Sequence, residues 1–207
     1  MAPGEPFSQR RIGLTGGIAS GKSSVGRWLA QQGLPVFDAD QYAREALKPG
    51  QQATKTVLQR YGSSVQAKRG ATIDRAALGR IVFQDSAERQ WLEQLIHPIV
   101  RERFDQALSL HAATPAVVLM IPLLFEAGLE SLCSEIWLVD CDASQQLERL
   151  IARDGLSPEA AQARIDAQWP LSRKRDLADH VISNAGPPGA WHPQARELLT
   201  MSPTAEL

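Results

Sequence analysis

The stretch Gly16-Gly17-Ile18-Ala19-Ser20-Gly21-Lys22-Ser23 decides the fold of this chain. It fills the pattern G-x-x-x-x-G-K-S/T, in which a glycine-rich loop joins a strand to a helix. An apolar, strand-like run precedes it at residues 12–15, and a helical pattern follows it, with apolar residues at Val25, Trp28 and Leu29. We expect that helix to end at Gly33, a left-handed cap, with Pro35 just beyond. We therefore interpret the stretch as a phosphate-binding loop (P-loop); a chance glycine-rich turn is the alternative.

A loop of this kind binds the β-phosphate of a nucleotide, because its backbone N–H groups turn inward at the positive end of a helix. Lys22 would reach the β- and γ-phosphates, and the Ser23 hydroxyl would coordinate Mg²⁺. The sequence therefore predicts ATP and Mg²⁺ as ligands.

Composition limits the remaining possibilities. The chain has 207 residues, of which 43% are hydrophobic, enough for one domain with a substantial core. Its 22 Lys and Arg balance 23 Asp and Glu, so no bulk charge indicates a nucleic-acid or membrane partner. No apolar run approaches the roughly 20 residues of a membrane span, and residues 1–11 lack the apolar stretch of a secretory signal. We expect a cytoplasmic protein, a monomer or small homo-oligomer, with Cys133 and Cys141 as small buried residues.

Four further segments predict short buried strands separated by helices: 34–37, 116–121, 135–140 and 179–182. Continuous apolar runs of this length are typical of parallel strands covered on both faces. The sequence thus predicts an α/β protein with the three-layer P-loop kinase fold. Its five-stranded parallel sheet would come from residues 10–40, 114–152 and 176–200 of a single domain, 1–207. Ligands bind such sheets at the carboxyl ends of the strands, where Gly16, Asp38, Pro122 and Asp140 fall.

Residues 41–112 are too long for one crossover helix, and we expect them to form a helical substrate-binding insertion. Helical stretches are predicted at 75–83, 86–96 and 98–110. Proline inside a helix costs about 3 kcal/mol but is tolerated in a first turn. We therefore expect the chain to break or kink at His97 and a new helix to start at Pro98.

Two carboxylates, Asp38 and Asp40, follow the strand at 34–37. We expect this strand to lie next to the P-loop strand, and alternation along an extended chain would point both carboxylates toward the transferred phosphoryl group. A carboxylate there could take a proton from an alcohol acceptor or hold Mg²⁺ through water. The alternative is an Asx turn or a helix cap ahead of Gln41.

Basic side chains are the next requirement, since ATP is a polyanion. Arg149 and Arg153 lie four residues apart on one face of a predicted helix, and we expect both at the phosphates. We place a lid at residues 153–175, whose closure would exclude water and neutralise charge. Arg173, Lys174 and Arg175 are weaker candidates within it. For most of these residues, solvated surface cations are the alternative.

An apolar segment, Leu123-Leu124-Phe125, leaves the predicted strand at 116–121 on the ligand side. An exposed apolar patch there would form a binding wall, and core packing is the alternative. His97 would either contact an acceptor or cap the helix starting at Pro98, and its spacing favours neither.

With these residues assembled, the chain resembles the dephospho-CoA kinase family. These P-loop kinases use ATP to phosphorylate the ribose 3′-hydroxyl of dephospho-CoA. The resemblance runs from Ile12 to about Gly186 in the family's order and spacing. The P-loop alone would be unspecific, and the specific match is a combination of segments: Leu14-Thr15-Gly16-Gly17-Ile18, Asp38-Ala39-Asp40 with Ala43-Arg44, Arg75 with Leu78, Val82-Phe83, Leu95-Ile96-His97-Pro98, Pro122-Leu123-Leu124-Phe125-Glu126 and Val181-Ile182-Ser183-Asn184.

The resemblance implies a role for each matching position. ATP would be bound by Gly17, Ala19, Ser20, Gly21, Lys22, Ser23, Ser24, Arg149, Arg153 and Asn184. Dephospho-CoA would contact Asp38, Asp40, Arg44, Arg75, His97, Leu123, Leu124, Phe125 and Glu126. Asp40 would take the proton of the 3′-hydroxyl, with Lys22 and Arg149 completing the catalytic set. Asp38 would support Mg²⁺, beside Ser23, or the substrate.

Two positions depart from the family pattern. Ala19 stands where the family often has glycine. Only a left-handed φ would make alanine costly there, and we expect that none is needed. Trp169-Pro170 interrupts the segment after Gln168 and leaves the lid geometry open.

Two other functions fit parts of the sequence. A shikimate- or nucleotide-type kinase also carries Asp-x-Asp after the loop, but the long helical insertion and the apolar segment at 123–125 count against it. A non-catalytic GTP-binding switch usually carries Asn-Lys-x-Asp, which occurs nowhere in the 207 residues.

Overall fold

A computed structural model describes residues 9–67 and 72–201; part of the opening segment, residues 1–8, lies outside this description. The fold is a five-stranded sheet in the order β2-β3-β1-β4-β5, and every neighbouring pair is parallel. The strands are β1 (Arg10–Gly16), β2 (Val36–Asp38), β3 (Ala116–Met120), β4 (Glu135–Asp140) and β5 (His180–Ser183). The predicted α/β fold with five parallel strands is confirmed.

Nine helices lie in the described ranges. They are α1 (Lys22–Gln31), α2 (Ala39–Ala46), α3 (Gln52–Tyr61), α4 (Arg75–Gln84), α5 (Ser86–Leu110), α6 (Ala143–Asp154), α7 (Pro158–Asp166), α8 (Leu171–Arg175) and α9 (His192–Thr200). Within those ranges, no helix combines the length and hydropathy needed to cross a bilayer.

The position of β2 corrects one prediction. It pairs with β3 and not with the P-loop strand β1, so β3 lies between them. The physical reason is burial: four of the five residues of β3 are buried, whereas the three residues of β2 are only half-buried. A strand that is apolar on both faces gains most in the middle of a parallel sheet, and a short strand suits the edge.

The described chain divides into two compact units, of which Ala39–Leu110 is one and the remainder the other. In the sheet-containing unit, Ile12 and Leu14 of β1 pack with α1 and with Trp137 of β4. Trp28 of α1 meets Trp191 edge-to-face at 5.8 Å. Helix α1 ends before Gly33, whose φ of 90° confirms the predicted left-handed cap.

The two cysteines are free and buried, as predicted. Burial raises the pKa of the Cys133 thiol to about 12. The reactive form of cysteine is the thiolate, so this shift makes Cys133 a packing residue and not a nucleophile.

The Ala39–Leu110 unit has its own apolar cluster around Val57, Val65 and Leu78. Helix α4 begins where Asp74 accepts hydrogen bonds from the backbone N–H groups of Ala76 and Ala77, at 2.9 and 3.0 Å. Such a side-chain cap fixes the start of the helix because the first N–H groups have no partner within it.

Helix α5 corrects a second prediction, because it runs unbroken for 25 residues with Pro98 inside. No helix starts at Pro98, so the interpretation of His97 as a cap is also wrong. The buried face is spaced at helical intervals on both sides of the proline: Ile96, Val100, Phe104, Ala107 and Leu108. Burying one such large side chain is worth about 1.5–3 kcal/mol, so the face as a whole outweighs a proline cost of about 3 kcal/mol.

Candidate active site

The P-loop turns between the end of β1 and the start of α1. Ala19 has φ 61° and Gly21 has φ 99°, both in the left-handed region. Our expectation for Ala19 was wrong: the turn needs a left-handed residue there, at a cost of roughly 1–2 kcal/mol for alanine. A left-handed residue among right-handed neighbours curls successive N–H groups into an anion-binding concavity.

Asn184 closes one side of this loop. Its Nδ2 donates to the backbone oxygen of Ser20 at 2.8 Å, and a Cβ at Gly21 would lie 2.1 Å from the same nitrogen. Gly21 is therefore required both by its φ and by the close approach of Asn184. The structure places the predicted residue Asn184 directly against the loop.

Arg149 lies beside this contact, on α6. Its Nη2 donates to the backbone oxygen of Asn184 at 3.0 Å, while its Nη1 is buried and has no hydrogen-bond partner among the described residues. Arg149 and Asn184 line a cleft of about 490 Å³, whose other lining residues include Gly21, Ser24, Gly186, Trp191 and His192. The guanidinium charge of Arg149 favours an anion in this cleft.

Lys22 and Ser23 open helix α1. Lys22 is buried, and Ser23 is exposed. Both follow directly from the P-loop pattern, and their phosphate and Mg²⁺ roles stay predictions.

Arg153, the second predicted arginine of α6, forms an ion pair within its own helix. It pairs with Asp154 at 2.7 Å, and Arg164 pairs with the same carboxylate at 3.0 Å. Hydrogen bonding from Arg153, with the charges of both arginines, lowers the pKa of Asp154. The role of Arg153 at the phosphates stays a prediction.

Asp38 and Asp40 stand in different elements. Asp38 is the last residue of β2 and pairs with Met120 of β3. Met120 pairs in turn with Leu14 of β1, on the opposite side of β3. Asp38 is therefore two strand spacings, about 10 Å, from the P-loop strand. Asp40 lies in the first turn of α2, so the expected alternation along an extended chain does not apply to it.

The segment Leu123-Leu124-Phe125 is not an exposed wall. Leu124 and Phe125 are buried, so core packing is the correct interpretation for both. A Cβ at Gly13 would lie 2.9 Å from a methyl carbon of Leu124, which shows how closely this side chain covers β1. Only Leu123 is partly exposed.

Glu126 holds the base of the lid segment. Its Oε1 accepts from the Trp169 backbone N–H at 3.0 Å and pairs with Lys174 Nζ at 2.8 Å. Lys174 also donates to the Pro122 backbone oxygen at 3.1 Å and is fully buried. The surface-cation alternative is therefore wrong for Lys174. These protein partners compete with the predicted substrate contact of Glu126, which stays a prediction.

The two neighbours of Lys174 also contact protein groups. The Arg173 guanidinium stacks over the Trp169 ring, 3.3 Å from its centroid, and Arg175 pairs with Asp140 at the end of β4. These contacts favour a role in positioning the segment over direct phosphate binding.

Four predicted substrate residues lie in the Ala39–Leu110 unit: Asp40, described above, and Arg44, Arg75 and His97. Arg75 Nη2, at the start of α4, donates to the backbone oxygen of Arg44 on α2 at 2.9 Å, so the structure brings these two arginines together. His97 lies half-buried within α5.

Sequence reasoning missed two residues, Gln146 and Gln168, which contact the P-loop. Gln146 Nε2 donates to the Ile18 backbone oxygen, and the Ile18 N–H donates to Gln168 Oε1, both at 2.8 Å. The available signal was spacing: Gln146 lies three residues before Arg149, hence on the same face of α6.

A P-loop at the end of the central strand of a five-stranded parallel sheet, with an arginine beside it, defines a P-loop kinase. The family model for dephospho-CoA kinase matches residues 10–188, and the chain belongs to this family.

Individual relatives agree with this assignment. A dephospho-CoA kinase from Synechococcus sp. (strain CC9605) is 84% identical over 207 residues, covering 100% of both chains. A crystal structure of a Thermus thermophilus protein matches with TM-score 0.78 and 36% identity, over 92% of this chain and 96% of that one. The dephospho-CoA kinase from Campylobacter jejuni matches with TM-score 0.68 and 28% identity, over 91% and 94%.

Proposed function

We propose that this chain transfers the γ-phosphoryl group of ATP to the ribose 3′-hydroxyl of dephospho-CoA, which yields coenzyme A and completes its synthesis. The observation that carries the proposal is a P-loop with left-handed residues at Ala19 and Gly21, in a chain that belongs to the dephospho-CoA kinase family. Phosphoryl transfer of this kind depends on positioning and on charge more than on covalent chemistry.

ATP would lie along the loop with its phosphates toward the N-terminus of α1. The phosphate-binding groups would be Lys22 and the backbone N–H groups of Gly17 and of residues 19–24. The adjacent cleft, which Gly21, Arg149 and Asn184 line, supports a nucleotide at this place. Arg153 would join them if the lid segment, residues 153–175, closes over the phosphates.

Mg²⁺ fits the donors present. Within the described ranges, no cluster of three or more acidic, histidine or cysteine side chains could hold a metal by itself. Mg²⁺ suits such a site, since it is usually bound by one or two protein oxygens together with phosphate oxygens and water. Ser23 and Asp38 would hold it, and the ion would neutralise charge on the β- and γ-phosphates.

Asp40 would take the proton from the 3′-hydroxyl. Its place in the first turn of α2, two residues after β2 ends, supports this role because catalytic groups of such sheets lie beyond the carboxyl ends of the strands. Asp38, Arg44, Arg75, His97 and Leu123 would contact dephospho-CoA. Leu124, Phe125 and Glu126 are left out of the contact set because of their packing and pairing.

The remaining features belong to the same proposal. A cytoplasmic location fits two free cysteines, Cys133 and Cys141. Balanced charge fits a small-molecule substrate in place of nucleic acid. We propose a monomer or small homo-oligomer.

A coupled assay of ADP release tests the function. Dephospho-CoA with ATP and Mg²⁺ should give turnover that chelation by EDTA abolishes, and mass spectrometry with phosphorus NMR should place the new phosphate on the 3′-oxygen. Shikimate and nucleoside monophosphates are the matched acceptors for the rival kinases. Turnover on either of them and none on dephospho-CoA would assign the site to that rival, and slow hydrolysis that no acceptor stimulates would indicate a nucleotide switch.

A further inference from the structure

Two glutamine side chains contact both polar groups of the Ile18 backbone. Gln146 is 5% exposed and donates from Nε2 to the Ile18 oxygen at 2.8 Å. Gln168, between α7 and α8, accepts at Oε1 from the Ile18 N–H, also at 2.8 Å. Each amide can make such a bond only when its partner's backbone is correctly oriented, so the pair fixes Ile18 from two sides.

Fixing the Ile18 carbonyl also fixes the next N–H group. In a trans peptide the C=O of one residue and the N–H of the next point in opposite directions. With the Ile18 oxygen held toward Gln146, the N–H of Ala19 points away from α6. Ala19 is also the residue with φ 61°. The Gln146 hydrogen bond therefore acts on the peptide directly before the left-handed residue, and the Gln168 hydrogen bond acts on the peptide before that one.

The loop is shaped around the Gln146 amide. A Cβ at Gly17 would lie 2.5 Å from Gln146 Nε2 and 3.4 Å from the Leu171 side chain. Gly17 has no left-handed φ among those found in the structure, so close approach, and not backbone freedom, accounts for glycine at this position. The nitrogen that donates to the Ile18 oxygen thus also requires glycine at position 17.

We propose that Gln146 and Gln168 are positioning residues for phosphoryl transfer: they hold the P-loop in the left-handed conformation at Ala19 that aims its N–H groups at the phosphates of ATP. The inference rests on the proposed function for the identity of the reaction, but its direct effect is on ATP binding. Helix α6 then serves the nucleotide twice, through Gln146 on the loop and through Arg149 beside it.

The experiment combines Gln146→Met, which keeps the length of the side chain and removes its amide, with Ala19→Gly. ATP affinity is measured by calorimetry without acceptor, so the result is informative even if the wild-type protein fails to phosphorylate dephospho-CoA. Loss of the hydrogen bond to the partly buried Ile18 carbonyl should weaken ATP binding and lower kcat/KM by about tenfold to a hundredfold. Glycine removes the left-handed penalty, so adding Ala19→Gly should restore about fivefold or more.

In the wild-type background the loop is already held, so Ala19→Gly should raise ATP affinity by a smaller factor than it does in the Gln146→Met background. Gln145→Met is the matched control, since Gln145 also lies on α6 and donates to a backbone oxygen, that of Ala185, at 2.8 Å. Ala19→Gly should not improve that variant. If Gln146→Met fails to fold, Gln168→Met, which alters a partly exposed loop residue, should show the same rescue with a smaller initial loss.

Equal effects of Ala19→Gly in wild-type and Gln146→Met backgrounds would overturn the proposal, because the glutamine would then act independently of the loop conformation. Unchanged ATP affinity in Gln146→Met, with a normal thermal midpoint, would overturn it as well. A wild-type protein that binds ATP but transfers no phosphoryl group would contradict the proposed function and leave the rescue by Ala19→Gly as the test of the loop.

Discussion

Removal of the buried Lys174 ammonium should destabilise the protein far more than removal of an exposed one. In Lys174→Met the Glu126 carboxylate loses its partner at 2.8 Å and keeps the Trp169 N–H at 3.0 Å. Its Oε2 is buried and without a hydrogen-bond partner among the described residues. Breaking one side of a buried ion pair costs about 3–5 kcal/mol, and we expect about 3 because the Glu126 side chain is 16% exposed to water.

The expected change in thermal midpoint follows from chain length. Unfolding entropy of about 2.1 cal/mol/K per residue gives about 0.4 kcal/mol/K for 207 residues, so the midpoint should fall by about 7 °C. Urea unfolding followed by tryptophan fluorescence measures the free energy directly. Lys48→Met is the matched control: Lys48 is 60% exposed and pairs with Glu45 at 3.6 Å, so its loss should cost less than about 1 kcal/mol.

The double variant Lys174→Met/Glu126→Gln decides the mechanism. It buries no charge, so it should regain most of the stability lost in Lys174→Met. A double variant no more stable than Lys174→Met, or a Lys174→Met as stable as Lys48→Met, would refute the reasoning. If the single variant Glu126→Gln raises KM for dephospho-CoA and leaves the thermal midpoint unchanged, the result would instead support the substrate contact predicted from the sequence.

Three further predictions concern catalysis and pH. Asp40→Asn should lower kcat by about 10²–10⁴-fold while ATP binding survives, because only proton removal is lost; near-normal turnover would exclude Asp40 as the base. Lys22→Ala should lose catalysis more than folding, as measured by turnover beside the thermal midpoint, and retained activity would contradict the P-loop assignment. Hydrogen bonds from Arg60 and then from Tyr61 lower the pKa of Glu88 from 4.5 to about 2. The stability advantage of wild type over Glu88→Gln should therefore be complete above about pH 4.5 and fade as the pH falls toward 2. An advantage that is constant across that range in thermal melts would show that the charge of Glu88 is irrelevant.

The elements of the fold could be predicted because their signals are local. An apolar run such as 116–121 has few alternatives to a buried strand, and the glycine-rich loop with Lys22 is defined by its spacing. The end of α1 was correct for the same reason, since Gly33 needs only its own φ.

The predictions that were wrong concern features that depend on contacts between residues distant in sequence. The residues of β2 alone do not indicate the strand order, in which β3 lies between β2 and β1. Helix α5 continues through Pro98 because burial of its apolar face on both sides of the proline outweighs the cost of one proline. That burial depends on the rest of the fold. Lys174 is basic like its neighbours, and only the Glu126 carboxylate in the folded chain explains its burial.

The left-handed conformation of Ala19 and the loop contacts of Gln146 and Gln168 were all missed from the sequence, because the glutamines hold the loop in which Ala19 lies. Alanine is a poor residue for φ 61°, so propensity argues against what the structure shows. The compensation comes from side chains more than 120 residues away in sequence. A functional loop is where local preference and the folded structure are expected to disagree.

The strand order also has a consequence for biosynthesis. Both neighbours of β1, namely β3 and β4, are translated after the whole Ala39–Leu110 unit has been made. On the ribosome, β1 and α1 lack these partners while the helical unit, which contributes no strand to the sheet, has time to form. We expect stalled nascent chains to bind ATP-agarose only once β4 and the later residues that contact the P-loop, Gln146, Gln168 and Asn184, have left the exit tunnel.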